Sequence, residues 1–205
     1  MKFLPVGASA LLIELDGLDD VLALHAEIER RRTGGWAPSL VDVIPSARTI
    51  LLDGVTGRDA LAGEIRGWRV PPAPPPAGHA VEIPCRYTGD DLAAVATAWR
   101  VTPAEVARIH TGHTYRVAFC GFSPGFAYLA GLPSRFALPR RPSPRTTVPA
   151  GSVALADTYT GVYPRPSPGG WQIIGYTDAV IWDPGKEPPA LLAPGHRVRF
   201  VDAGR

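Results

Sequence analysis

Lysine is almost missing from this 205-residue chain: only Lys2 and Lys186 occur, so arginine carries nearly all the positive charge. A compositional bias, visible also in the many alanines and prolines, accounts for that excess. So does a need for planar, two-point recognition of anions, which arginine serves and lysine does not. Cysteine is scarce too. Cys85 and Cys120 stand alone, with no CxxC pair, which excludes a disulfide framework and a cysteine zinc site. No apolar run approaches the length of about 18 residues that a membrane helix needs. In residues 1–13 the apolar stretch is broken by Pro5, Gly7 and Ser9, and Glu14 and Asp16 follow at once. No signal-peptide core survives that, so a cytoplasmic protein that does not engage membrane is expected. A net charge of +2 is too small to argue for nucleic acid. GxxxxGK[ST] is absent, which removes nucleotide binding by a P-loop but leaves a different anion site open.

What is present is 45% hydrophobic content, enough for one large or two small cores. The first third alternates between strand and helix patterns. Residues 9–15 read as a strand, and Asp16 or Asp19 can cap a helix to about Arg32, with Leu18, Val21, Leu22, His25 and Ile28 on one face. Thr33-Gly34-Gly35 stops it. Residues 41–44 and 49–53 read as strands around Pro45, and 57–68 as a second helix. A strand at 80–87 either closes a β-α-β-β-α-β unit or opens the next domain. The proline-rich run 71–78 reads as a semi-rigid linker, which gives an α/β domain over 1–78 and a second domain over 79–205. Two short helices, 90–99 and 102–111, begin the second domain. Thr102, Pro103 and Glu105 form a helix-start signature there. From Tyr115 onward short apolar runs end at Gly or Pro about every ten residues, as in a β-barrel or sandwich.

The turns carry the chemistry. Gly121-Phe122-Ser123-Pro124-Gly125 matches the GxSxG nucleophile elbow, and Asp178 or Asp183 followed by His196 has the hydrolase order. Pro124, however, lacks the backbone N–H that should serve as oxyanion donor after the serine. His110 and His113 have no further ligands at metal spacing, so no metal is expected. In the turn Arg140-Arg141-Pro142-Ser143-Pro144-Arg145-Thr146, the first two arginines read as solvated. Arg145 enters an apolar run and is expected to point inward with Thr146. Arg116, on a half-buried strand, is its expected companion. Such arginines need an anion, either a ligand or an internal acid such as Asp157 or Asp178. Phe126, Tyr128 and Tyr163 suit a core, whereas Phe122 and Trp171, flanked by Gly and Pro, are expected to line a cleft.

These words together resemble the KipI/PxpB family, that is, the B subunit of prokaryotic 5-oxoprolinase, also described as allophanate hydrolase subunit 1. They include Thr114-Tyr115-Arg116-Val117, the loop from Gly121 through Phe126-Ala127-Tyr128-Leu129, and Val148-Pro149-Ala150-Gly151-Ser152-Val153. Thr160-Gly161-Val162-Tyr163-Pro164, Ser167-Pro168-Gly169-Gly170-Trp171-Gln172 and Pro194-Gly195-His196-Arg197 continue the match. The resemblance implies an α+β N-terminal domain followed by an all-β cyclophilin-like barrel. It also implies the A and C subunits of 5-oxoprolinase as partners, and ATP as co-substrate in opening 5-oxo-L-proline to L-glutamate. The alternative it implies is a non-catalytic inhibitor of a sensor histidine kinase. On the enzyme reading Arg116 and Arg145 are the catalytic cations. His110, Phe122, Pro124, Gly125, Thr146, Tyr163, Gly169, Gly170, Trp171 and Gln172 then form the substrate or partner pocket. Asp157 and His110 are weak choices for a general base, so another subunit is expected to supply it.

Overall fold

The computed structural model describes residues 1–36, 39–73 and 80–204. The chain folds as two compact units, Met1–Pro75 and Pro76–Arg205. Most of the proline-rich linker, residues 74–78, lies outside the described residues.

The first unit is a four-stranded antiparallel sheet in the order β1 (Lys2–Val6), β2 (Ala10–Glu14), β4 (Thr49–Asp53), β3 (Asp42–Pro45). Helices α1 (Leu18–Thr33) and α2 (Arg58–Arg66) share its core. Val21, Leu24 and Ile28 of α1 and Leu61 and Ile65 of α2 cluster with Ile13, Ile50 and Leu52 of the sheet. One sequence expectation is corrected and one element is added. The N-cap of α1 is Gly17, with no side-chain cap bond, rather than Asp16 or Asp19. Asp19 instead sits in the first turn, where its charge favours the positive helix end. Strand β1 is an addition, since Pro5 interrupts its pattern. It is an edge strand, where a missing N–H costs no ladder bond.

The second unit is built on a seven-stranded sheet in the order β12, β9, β10, β7, β6, β13, β5. These are Gln172–Tyr176, Ser152–Ala156, Tyr159–Val162, Ala127–Ala130, Thr114–Cys120, Arg197–Asp202 and Val81–Cys85. Strand β5 pairs in parallel with β13, so of the two alternatives it opens the second domain. The ends of the sheet meet where Arg86 and Tyr176 exchange backbone hydrogen bonds of 2.8 and 2.9 Å. Arg86 also pairs with Asp178 at 2.5 Å. The sheet is therefore a nearly closed barrel, which leaves almost no open edge.

Strand alternation sorts its side chains into two clusters. Val153 and Leu155 of β9 join Ile83, Val117, Leu129, Ile174 and Phe200 in one core. Val95 and Ala96 of α3 (Leu92–Trp99) and Val106 of α4 (Pro103–Thr111) complete it. The expected capping box at Thr102 and Glu105 is present, with Pro103 opening the helix. Ala154 and Ala156 face the opposite way, with Phe126, Val148, Tyr163, Trp171 and Ile173. This second cluster includes Val148 of the ribbon formed by β8 (Arg145–Val148) and β11 (Ser167–Gly169).

His110 projects from α4 into the first cluster, fully buried. Its Nδ1 meets the Tyr87 hydroxyl at 2.7 Å and its Nε2 meets Thr160 Oγ1 at 2.9 Å. The Thr160 hydroxyl donates to Ala154 O at 3.2 Å, so it accepts from His110 Nε2–H and leaves Nδ1 to accept from Tyr87. Burial lowers the His110 pKa to about 3 from the ordinary 6.5, with His113 adding a smaller push.

This packing makes stability sensitive to pH and to single methyl groups. His110 stays neutral in the fold while the unfolded chain protonates below pH 6.5, so its stabilisation is complete above that pH and is lost as pH falls toward about 3. In chemical denaturation the wild type should lose about 2 kcal/mol more between pH 7 and pH 5 than His110→Gln does. Equal losses would contradict this. Gly169→Ala would drive a methyl into the buried Tyr163 hydroxyl, whereas a Cβ at Gly170 meets Pro144 Cβ at an ordinary 3.6 Å. Thermal melts should show about 1–3 kcal/mol of destabilisation for the first and less than about 0.5 kcal/mol for the second.

Candidate functional site

The loop from Gly121 to Gly125 is held by its own backbone. Ser123 N donates to Gly121 O at 2.9 Å, Phe126 N to Ser123 O at 3.0 Å, and Gly121 N to Phe126 O at 3.1 Å. The tight turn places Phe122 at φ 70°, a left-handed conformation that costs a bulky side chain about 1–3 kcal/mol. Its ring is 58% exposed, edge-on to Phe126 at 5.4 Å and to Tyr163 at 6.2 Å. Gly125, at φ 82°, packs so closely on Trp182 that a Cβ there would lie 2.6 Å from the Trp182 Cβ. Pro124 is exposed. The loop leads into strand β7 rather than a helix, and the buried Ser123 hydroxyl has no hydrogen-bond partner among the described residues. The geometry therefore also speaks against a nucleophile elbow.

Trp171 and Tyr163 are not cleft-lining. They are 5% and 2% exposed, sealed with Phe126. Trp171 meets Phe126 and Tyr128 edge-on at 5.4 and 5.5 Å. Gly161 makes room for this packing, since a Cβ there would stand 3.0 Å from Phe126 Cζ. Only Phe122 of the expected cleft aromatics reaches the surface.

Arg145 lies opposite Gly169 across the β8–β11 ribbon. Its Nη2 donates to Asp91 Oδ1 at 3.0 Å and stands 3.8 Å from Asp90. Arg141 Nη1 donates to the same Asp91 oxygen at 2.5 Å, while Asp91 Oδ2 accepts from Ile173 N at 2.7 Å. Burial works to raise the Asp91 pKa, but the bonds from Arg145 and Ile173 and the charges of Arg145 and Arg141 outweigh it and hold the carboxyl below its ordinary range. Arg141 N donates to Gly170 O at 2.7 Å and Gln172 Nε2 to Pro139 O at 3.3 Å, stitching the arginine-rich turn to β12. Arg141 Nε and Arg145 Nη1 are buried without a partner among the described residues. Each such donor costs about 1–3 kcal/mol until an acceptor meets it.

Several expectations change here. Arg141 is not a solvated loop residue but a member of the Asp91 pair, whereas Arg140 is exposed as anticipated. Thr146 is exposed rather than inward with Arg145. The internal acid is Asp91, not Asp157 or Asp178. Asp178 serves Arg86, and Asp157 is exposed in a left-handed turn. Sequence reasoning misses Asp91 because it sits at a helix start, where an Asp ordinarily reads as a cap. An arginine beside an apolar strand is the available signal that an acid must lie nearby.

Arg116 is not the companion of Arg145. It stands on β6, opposite Arg197 of β13 and Ala130 of β7. The Asp91 grip that holds Arg145 attaches to β12, which is four strands away in one direction and three in the other. At about 4.8 Å per strand these are different flanks of the barrel. His110 is likewise apart, sealed in the first cluster and neutral. Phe122, Pro124, Gly125, Tyr163, Trp171, Gly169, Gly170, Gln172 and Arg145 are brought to one side by the second cluster and its ribbon. No group of three or more His, Cys, Asp or Glu side chains among the described residues could hold a metal ion. No helix among them is long and apolar enough to cross a membrane.

The family model described as "Carboxyltransferase domain, subdomain C and D" matches residues 1–192. The chain is 42% identical over 171 residues to the B subunit of 5-oxoprolinase from Escherichia coli O157:H7, covering 80% of this chain and 78% of that one. It is 48% identical over 124 residues to the B subunit of 5-oxoprolinase from Bacillus subtilis (strain 168), covering 59% and 52%. The crystal structure of TTHA0988 superimposes with a TM-score of 0.79 at 36% identity, and this chain spans only 40% of it. With a strained aromatic loop, an arginine-rich turn and a nearly closed barrel all in place, the chain belongs to the carboxyltransferase subdomain C and D family and, within it, to the family of 5-oxoprolinase B subunits.

Proposed function

We propose that this chain is the B subunit of an ATP-dependent 5-oxoprolinase that acts with the A and C subunits of that enzyme. The complex takes 5-oxo-L-proline, ATP and water to L-glutamate, ADP and phosphate. The observation that carries the reading is Phe122, held exposed at φ 70° against a sealed aromatic wall, in a chain 42% identical to its E. coli relative. A fold gains nothing by straining and exposing a phenylalanine unless something docks on it. In TTHA0988 the same fold occupies 40% of a longer chain, which agrees with a barrel that works beside a second domain.

The chemistry follows from the substrate. A lactam carbonyl is a poor electrophile, and transfer of a phosphoryl group to its oxygen makes attack by water feasible. Negative charge builds on the phosphoryl oxygens, and fixed guanidinium donors stabilise it without reorganising. Arg145, with Arg141 beside it, supplies those donors. Phe122 gives the ring an apolar contact, and the tightly packed wall of Tyr163, Trp171 and Phe126 behind it keeps water from that side. His110 is neutral and enclosed, and Ser123 has no base, so a partner subunit supplies the proton acceptor. Arg116, on another flank, is left out of this site.

Reconstitution with the A and C subunits provides the test, read as 5-oxoproline-dependent ATP hydrolysis and glutamate release. Arg145→Lys should lower turnover about 100-fold, since a point charge does not replace the fork. Phe122→Ala should lower it about tenfold, and Arg116→Ala should leave it near the wild-type rate. Full turnover in both the Arg145 and Phe122 variants would overturn the assignment.

A further inference from the structure

Resting on that reading, we infer that Asp91 is the positioning residue of an oxyanion site, pinning Arg141 and Arg145 so that the exposed parts of their guanidiniums face the carboxylate or phosphoryl oxygens of a ligand. Three observations meet at this side chain. It is buried at the start of α3, yet makes no cap bond to its own helix. One oxygen takes both guanidiniums and the other takes the backbone N–H of Ile173. A single negative charge thus faces two positive ones. Asp90 adds a contact of 3.8 Å to Arg145 from an exposed position, where water screens it, and is itself engaged by the Tyr176 hydroxyl at 3.0 Å. Arg140 stands close by and exposed. The cluster keeps a surplus of positive charge.

The surplus is directed. Arg145 is fixed opposite Gly169, and the Tyr163 hydroxyl lies against that glycine, so guanidinium and phenol are neighbours. The charges of Arg140 and Arg145 both act on Tyr163, opposing the rise that burial causes in its pKa. The Arg145 side chain is 20% exposed and that of Arg141 is 35%; Arg141 Nε and Arg145 Nη1 are buried, so an anion meets the exposed remainder of the two guanidiniums from the solvent side. Without the Asp91 grip, two like-charged guanidiniums would repel and swing into water. With it, their planes are set before a ligand arrives, which is the requirement for a donor array that stabilises developing charge.

Electrostatics alone and positioning make opposite predictions. Asp91→Asn removes a negative charge beside the arginines, so a mere counter-ion role predicts tighter anion binding. Positioning predicts weaker binding. Titration of the full chain with inorganic phosphate and, separately, with 5-oxoproline, followed by calorimetry, distinguishes the phosphoryl and carboxylate sources. At least one should bind, and Asp91→Asn should weaken it about tenfold. In an Arg141→Gln/Arg145→Gln background, where neither guanidinium is left to position, Asp91→Asn should weaken it no further, whereas a general loss of packing would still lower affinity. Affinity unchanged or improved in Asp91→Asn overturns the proposal, and so does failure of both anions to bind the wild type. If Asp91→Asn does not fold, Arg141→Gln takes its place: several-fold weaker binding supports the site, and unchanged binding overturns it. Anion binding that behaves as described, in a complex that shows no 5-oxoproline turnover, leaves Asp91 in this role and removes only the enzymatic reading.

Discussion

A carboxylate taken out of water must be compensated on every side, and Asp91 shows how much structure one such requirement organises. Its two oxygens collect the N–H of Ile173 in β12 and the guanidiniums of Arg141 and Arg145. Helix α3, the arginine-rich turn and the barrel wall are thereby fixed to one another. The β8–β11 ribbon follows, because Arg145 is its first residue and Gly169 its last. The aromatic cluster beneath includes Val148 from that ribbon, and Phe122 leans on that cluster. Replacing a buried ion pair with apolar residues is often neutral or stabilising. Its presence here speaks for a functional demand on where the guanidiniums sit.

The barrel separates that demand from stability. Closure through Arg86 and Tyr176 gives every strand a partner, and the inward face is filled by apolar side chains. The one histidine admitted there, His110, has both ring nitrogens satisfied. Outside that core lie the unsatisfied features: buried donors of Arg116, Arg141 and Arg145, the Ser123 hydroxyl and the left-handed Phe122. Strain and unmet polar groups sit where a partner or ligand can repay them, while the interior carries the folding energy.

Elements set by local rules are readable in the sequence. Thr102-Pro103 with Glu105 announces α4, and the short apolar runs ending at Gly or Pro announce the strands, of which Ser152–Ala156 is buried throughout. What escapes depends on contacts distant in sequence. Trp171 follows two glycines and so reads as a turn aromatic. It is sealed because Phe126, distant in the chain, packs on it and Gly161 of the neighbouring strand leaves the room. Arg116 and Arg145 share a residue type and an apolar setting, but sheet order, which no local pattern encodes, puts them on separate flanks. Asp91 is hidden by its place beside a helix start, and β1 by Pro5.

On the function proposed above, the site is one half of a catalytic arrangement. It offers fixed cations and one exposed ring, which bind and orient. The chain's buried His110 lies apart from the site and is held neutral by burial, and the Ser123 hydroxyl lacks a base, so neither moves a proton at the surface. Lactam opening needs both halves, since stabilising charge on oxygen accomplishes little unless a base delivers water to the carbon. On that same proposal, a chain that presents the first half and leaves an aromatic exposed relies on another protein to close the site. Dividing the work in this way has a physical advantage. In the proposed complex the charged turn stays hydrated until the partner arrives, and water is excluded only when the reacting groups are assembled.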